Sequence, residues 1–184
     1  MLSRRVVVAG LAVAPFPARA QATLTDDGLY KEPWFLDSFL ELSADVEEAA
    51  TRGKRLAVMW ELKGCPACRD THVINFARPE VAAFIRERFD IVQMNIVGDR
   101  EATDFDGERL SEKRLAQKYG VRFTPTIQFF PASPEGLYAK KPRDREVARL
   151  QGYLKPDEFT KVFAFVAERA YERSTLADYL KAGS

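Results

Sequence analysis

Cysteine and histidine are almost absent from this sequence, which has two cysteines and one histidine in 184 residues. Exported proteins that depend on disulfides are dense in cysteine, and a structural zinc site needs four ligands. Both classes are therefore excluded, and we expect neither a metal nor a cofactor. The formal net charge of +1 gives no basic surface for nucleic acid.

Long hydrophobic runs are also missing, apart from an apolar stretch from Val6 to Phe16 that follows two arginines and leads to small residues up to Ala22. This stretch is shorter than the roughly 20 residues of a membrane span, and the order of its parts is typical of a signal peptide. "SRR" leaves both the Sec and the twin-arginine route open. We predict a periplasmic protein with a cleaved signal peptide (1–22), an N-terminal lead-in (23–43) and one domain (44–184). Cleavage would leave 25 basic and 27 acidic residues.

Apolar periodicity predicts alternating strands and helices. Short apolar runs predict four buried strands, at 56–62, 90–97, 126–130 and 146–150. Helical patterns, start signals and stop signals predict helices at 43–52 with Ser43 as N-cap, at 69–77, at 79–89, at 111–119 and at 155–172. The lead-in is expected to be partly helical. This order is typical of an α/β sandwich with a mixed central sheet, in which the last two strands form an antiparallel pair.

Two charged stretches have no apolar period. Residues 98–111 predict a polar surface loop, and residues 140–145 form a basic run. Such runs are usually solvated faces. Partner recognition is the alternative for the basic residues of the second stretch, which are Lys140, Lys141, Arg143 and Arg145.

The two cysteines, Cys65 and Cys68, lie in "GCPAC" directly after the first predicted strand. A bridge between them would close a very short loop, so it would add little stability. A helix N-terminus lowers the pKa of a cysteine placed there, and Pro66 suits the first helical position. We therefore predict that Cys65 is the attacking thiolate and that Cys68, about one turn later, is the resolving thiol.

The only histidine, His72, follows Cys68 by four residues on the same predicted helix. The first interpretation is a histidine on the helix surface whose charge tunes the dithiol. The alternative is a third ligand beside Cys65 and Cys68 in a Cu(I) site, which would make the protein a metal binder and not an enzyme.

A strand ending in Trp60, a "CPAC" helix and a later "TP" before a strand are similar to the thioredoxin family. The resemblance implies a thioredoxin fold, a three-layer sandwich with a mixed central sheet between helices. It also implies that Pro125 is cis beside the dithiol and that Thr124 pairs with the backbone of the partner. With Pro66 and Ala67 between the cysteines, these residues would form the substrate-binding surface.

The longer segments "INFARPEV", "QMNIVGDREATDFDGE", "YGVRFTPT" and "GYLKPDEF" resemble the SoxW-type periplasmic thioredoxins of sulfur-oxidation systems, from about residue 35 to 180. This resemblance implies a monomeric reductase that a CcdA/DsbD-like membrane protein reduces. It would pass electrons to thiosulfate-oxidation components, notably the cysteine-bearing sulfur carrier protein. A disulfide oxidase or isomerase with the same fold is the alternative.

One position departs from the thioredoxin pattern. Ordinary thioredoxins carry a buried aspartate six residues before the first cysteine, where this chain has Met59. Glu61 lies two residues on and points to the same face of the strand. We predict Glu61 as a candidate proton acceptor, and the alternative is a carboxylate held in water at the end of the strand.

Overall fold

A central four-stranded sheet organises the protein, and the computed structural model describes residues 22–182. Eight strands are present in this range: β1 (Thr23–Leu24), β2 (Tyr30–Lys31), β3 (Arg55–Glu61), β4 (Phe89–Asn95), β5 (Glu101–Thr103), β6 (Arg109–Ser111), β7 (Thr126–Phe129) and β8 (Ala148–Gln151). The helices are α1 (Leu42–Thr51), α2 (Pro66–Asp70), α3 (Pro79–Arg88), α4 (Glu112–Lys118), α5 (Pro156–Ala167) and α6 (Leu176–Ala182), and a π-helical segment (Thr71–Phe76) continues α2.

The strand order of the central sheet is β4-β3-β7-β8. β3 and β4 are parallel, whereas β7 pairs antiparallel with both β3 and β8. The four predicted core strands and the antiparallel pairing of the last two are confirmed. The sheet is therefore mixed, and the carboxyl end of β3 leads directly into the cysteine pair.

Alternating side chains of β3 divide the core into two halves. Ala57 and Met59 pack in one cluster with residues of α3 and α5, while Val58 and Trp60 pack in the other with residues of α1 and α4. Helices thus cover both faces of the sheet, as a period of two along a buried strand requires. The predicted three-layer α/β sandwich is confirmed. α6, which the sequence analysis did not predict, packs against α5.

The lead-in differs from the prediction, because residues 23–41 contain no helix. β1 and β2 form a small antiparallel hairpin, and the chain then runs irregularly to α1. α1 begins at Leu42, so Ser43 is inside the helix and is not its N-cap. The start of α1 is held by Ser38, whose hydroxyl donates a hydrogen bond to Asp45 Oδ2 at 2.6 Å.

The polar stretch 98–111 is also more ordered than predicted, since it forms the β5–β6 hairpin. Asp104 at the end of β5 is buried and accepts hydrogen bonds from Tyr119 Oη and Arg145 Nη1, both at 2.6 Å. Arg145 is 3% exposed, so its prediction as part of a solvated basic face is wrong. This residue ties the connection between β7 and β8 to the hairpin.

The predicted signal peptide lies almost wholly outside the described residues. Within residues 22–182, every helix is too short or too polar to cross a bilayer.

Candidate active site

A tight turn places Cys65 at the junction of β3 and α2. The Cys65 N–H donates a hydrogen bond to the Leu62 carbonyl oxygen at 3.2 Å. Gly64 takes φ = +74° within this turn, a left-handed conformation that favours glycine. The turn therefore brings the first cysteine to the carboxyl edge of the sheet at the point where the helix begins.

Cys65 is the N-cap of α2, and Pro66 occupies the first helical turn as predicted. Cys65 and Cys68 form a disulfide with their Cα atoms 5.3 Å apart. The Cys68 N–H donates a hydrogen bond to Cys65 Sγ at 3.1 Å. Cys65 is half-buried, whereas Cys68 is 3% exposed. Cys65 is thus the more accessible of the two cysteines, and its sulfur accepts a helix N–H, which stabilises a thiolate.

The Thr124–Pro125 peptide bond is cis and lies beside the dithiol. The Thr124 carbonyl oxygen is 3.5 Å from Cys65 Sγ. The Pro125 carbonyl oxygen accepts a hydrogen bond from the Gly152 N–H at 2.8 Å, which fixes this loop to the strand pair β7–β8. The structure therefore brings the predicted residues Thr124 and Pro125 next to Cys65. Pro66 is exposed, and Ala67 is half-buried.

The helix that carries the cysteines widens directly after them. Thr71–Phe76 forms a π-helix, in which the Ala77 N–H donates to the His72 carbonyl oxygen at 3.0 Å. The wider turn places more side chains on the inner side than an α-helix would. The residues of this segment that are buried are Thr71, His72, Asn75 and Phe76.

Glu61 lies at the end of β3 and is 1% exposed, so the alternative of a carboxylate in water is wrong. Its Oε1 is 3.1 Å from His72 Nε2, and its Oε2 accepts a hydrogen bond from the Gln93 amide. Met59, on the same face of the strand, packs in the apolar core. The thioredoxin position for the acid is therefore apolar here, and the buried carboxylate is displaced by two residues.

His72 is fully buried, so its prediction as a surface residue is wrong. Nδ1 lies 2.9 Å from Glu32 Oε1, and Nε2 faces Glu61. Burial alone would lower the pKa of His72, but the hydrogen bonds that its ring donates to Glu32 and Glu61 outweigh burial and raise the pKa to about 9. Because a carboxylate faces each ring nitrogen, both nitrogens act as donors and the ring is an imidazolium at neutral pH.

The same contacts argue against the predicted Cu(I) alternative. A metal ligand must offer a free ring nitrogen, and both nitrogens of His72 point to carboxylates. Among residues 22–182, no group of three or more histidine, cysteine or acidic side chains is arranged to hold a metal ion.

Sequence reasoning missed Glu32 and Gln93. Glu32 comes from the N-terminal segment, forty residues before the histidine that it contacts, and no local pattern connects the two. Gln93 carried a usable signal, because a polar residue in the middle of a fully buried strand requires a hydrogen-bond partner. Its partners are Glu61 and the Tyr30 carbonyl oxygen.

Trp60 is the last residue but one of β3. It is 1% exposed and lies in the core on the sheet face opposite Met59. Its indole N–H donates a hydrogen bond to the Gln128 side chain.

A mixed sheet with a cysteine pair at a helix N-terminus beside a cis proline defines a thiol–disulfide oxidoreductase. The chain belongs to the thioredoxin-like domain family, whose sequence model matches residues 42–167. No curated protein matches the chain.

Solved structures show the same fold. The chain is similar to a thioredoxin-fold protein from Helicobacter pylori, with 22% identity, a TM-score of 0.56, and coverage of 76% of this chain and 92% of that one. It is also similar to a thioredoxin from Thermus thermophilus, with 22% identity, a TM-score of 0.50, and coverage of 68% and 83%.

Proposed function

We propose that this protein is a periplasmic reductase that transfers electrons from its Cys65–Cys68 dithiol to disulfides of partner proteins. The observation that carries the proposal is the placement of Cys65. It is the half-exposed N-cap of α2, it accepts a helix N–H, and the Thr124 carbonyl lies 3.5 Å away. An extended partner segment bound beside Thr124 and Pro125 would place its disulfide against Cys65.

The reaction proceeds in two exchanges. The Cys65 thiolate attacks one sulfur of the partner disulfide, the partner S–S bond breaks, the other partner sulfur leaves as a thiolate, and a mixed disulfide forms. The Cys68 thiol then loses its proton and attacks Cys65 Sγ. The Cys65–Cys68 bond forms, and the partner sulfur that was bound to Cys65 leaves as a thiolate. Two electrons have moved to the partner, and the protein is left as the disulfide seen in the structure.

Glu61 is the group that we propose as acceptor of the Cys68 proton. It is the buried carboxylate at the end of β3, on the strand that leads into the cysteine turn. A positioned base of this kind contributes about 10²- to 10⁴-fold to a rate. The step that depends on Glu61 is the release of the partner and not the first attack.

The partners are proposed from the resemblance to SoxW-type thioredoxins. The substrates would be thiosulfate-oxidation components, above all the cysteine-bearing sulfur carrier protein. The donor would be a membrane protein of the CcdA/DsbD type, because the bacterial periplasm has no reducing buffer. Export directed by residues 1–22 would place the protein in the periplasm. We propose that it acts there as a monomer.

The test is covalent capture in a culture that oxidises thiosulfate. Cys68→Ser lacks the resolving thiol, so it should retain its partner as a mixed disulfide that mass spectrometry identifies. The double variant Cys65→Ser/Cys68→Ser is the matched control and should capture nothing. A sulfur-oxidation protein in the captured fraction would support the pathway. Capture of none, together with failure of the wild type to reduce insulin, would contradict the proposed function.

A further inference from the structure

A buried chain of hydrogen bonds runs from the N-terminal segment to the end of β3. Glu32 contacts His72 Nδ1 at 2.9 Å, and His72 Nε2 contacts Glu61 at 3.1 Å. Gln93 joins Glu61 to the Tyr30 carbonyl oxygen, which leads back to the N-terminal segment. The three ionisable side chains are at most 2% exposed. His72 is four residues beyond Cys68 on the helix that carries the dithiol.

The charges in this chain do not cancel. Two carboxylates share one imidazolium, so the group carries one negative charge in the interior. Burying charged groups costs free energy, and replacing buried ion pairs by well-packed apolar residues is often neutral or stabilising. Apolar packing could therefore stabilise the fold as well as these three ionisable groups do. Glu61 ends the strand that leads into the cysteine turn, and His72 lies on the helix that carries the dithiol, which suggests a role in the proton transfer that accompanies disulfide exchange.

We propose that Glu32 and His72 are positioning residues for Glu61, and that the N-terminal segment 23–41 is therefore part of the redox centre. The inference rests on the proposed function, since Glu61 acts as proton acceptor there. Glu32 holds His72 as an imidazolium, and the imidazolium orients the Glu61 carboxylate through a charged hydrogen bond. An ionised Glu61 takes the Cys68 proton as the Cys68 sulfur bonds to Cys65, and the proton later returns to solvent.

Among the groups of residues 22–182 that surround His72, only these two carboxylates are charged, so they determine the protonation of its ring. The N-terminal segment presents Glu32, the Tyr30 ring at 6.0 Å between centroids and the Phe35 ring at 5.7 Å. β3 presents Glu61, and the π-helical segment that carries His72 presents the Phe76 ring at 5.4 Å between centroids. The aromatic rings exclude water, so loss of either carboxylate should change the protonation of the imidazole directly.

The first test uses the fact that His72 is the only histidine in the sequence. Its ring signals can be followed by NMR without assignment ambiguity, in the disulfide and in the dithiol form. A thiolate at Cys65 adds negative charge near the imidazolium, so the titration midpoint should be higher in the dithiol form. Identical midpoints in the two forms would overturn the proposal, even if the protein reduces insulin normally.

The second test is Glu32→Gln, with Glu47→Gln as control because Glu47 is an exposed residue of α1. Without Glu32, the pKa of His72 should fall from about 9 toward its ordinary value of about 6.5. The neutral imidazole that forms as the pH rises no longer holds Glu61 by a charged hydrogen bond. The single-turnover rate of partner release should then fall about tenfold between about pH 6.5 and 9, part of the roughly 10²- to 10⁴-fold that a positioned base contributes.

Wild type and Glu47→Gln should keep their rate over that interval. If Glu32→Gln only lowers the unfolding midpoint and leaves the pH profile of release unchanged, the residue is structural and the proposal is wrong. The rate of the first attack by Cys65 is an internal reference, since Glu61 does not act in that step. A fall in both rates together would also contradict the assignment.

Discussion

The two carboxylates that face His72 predict that the protein loses stability as the pH rises through about 9. Its pKa in the folded protein is raised to about 9 against an ordinary value of about 6.5. The imidazolium therefore stabilises the fold fully below about pH 6.5, and this contribution disappears as the pH passes about 9. A difference of about 2.5 pH units corresponds to about 3 kcal/mol in the free energy of unfolding.

The assay is urea unfolding of the disulfide form at pH 6 and pH 10, in which the cysteines do not titrate. His72→Gln is the matched variant, because it removes the only histidine and keeps a polar side chain of similar length. The wild type should lose about 3 kcal/mol more than the variant between the two pH values. Equal losses in the two proteins would refute the assignment of charge to the buried imidazole.

Three substitutions outside the dithiol and the potential of the dithiol give further tests. Asp104→Asn should cost about 1.5–3 kcal/mol in urea unfolding, because it removes the buried carboxylate that Arg145 and Lys118 share and leaves Arg145 with Asp106 alone. Loss of the exposed ion pair in Arg109→Ala should cost at most about 1 kcal/mol, and equal losses would contradict this contrast. Gly98→Ala should lower the thermal midpoint, since an added Cβ would lie 2.1 Å from Glu112 Oε2, and an unchanged midpoint would show that this contact is wrong. For a reductase, the dithiol potential should lie below about −150 mV against a glutathione standard, and a value well above it would indicate an oxidase.

The dithiol and the sheet that carries it could be predicted from sequence because their signals are local. A buried strand followed by Gly64, Cys65 and Pro66 marks the start of a helix within a few residues. The long helix α5 likewise shows its apolar face in the spacing of its aromatic residues. Patterns of this kind depend on neighbours in the chain, so the fold class and the position of the cysteine pair at the start of a helix both follow from them.

The surroundings of the site could not be predicted, because they depend on contacts between distant segments. His72 lies one turn after the dithiol in sequence, and only the π-helical turn and the arrival of Glu32 make it a buried residue. The sequence pattern predicts Arg145 as one cation of an exposed basic run. In the structure it is buried, because it pairs with Asp104, forty-one residues away in the chain. A charged residue can be buried where a group of opposite charge pairs with it. The apolar periodicity of the sequence does not show which distant residue that group belongs to.

The most direct test of the account is alkylation of the reduced protein at pH 7, with mass spectrometry to follow each cysteine separately. Cys65 is half-buried at the start of α2 and accepts a helix N–H, whereas Cys68 is 3% exposed. The account predicts that Cys65 reacts at least about tenfold faster than Cys68, because the thiolate is the reacting form. Equal and slow modification of both cysteines would contradict it.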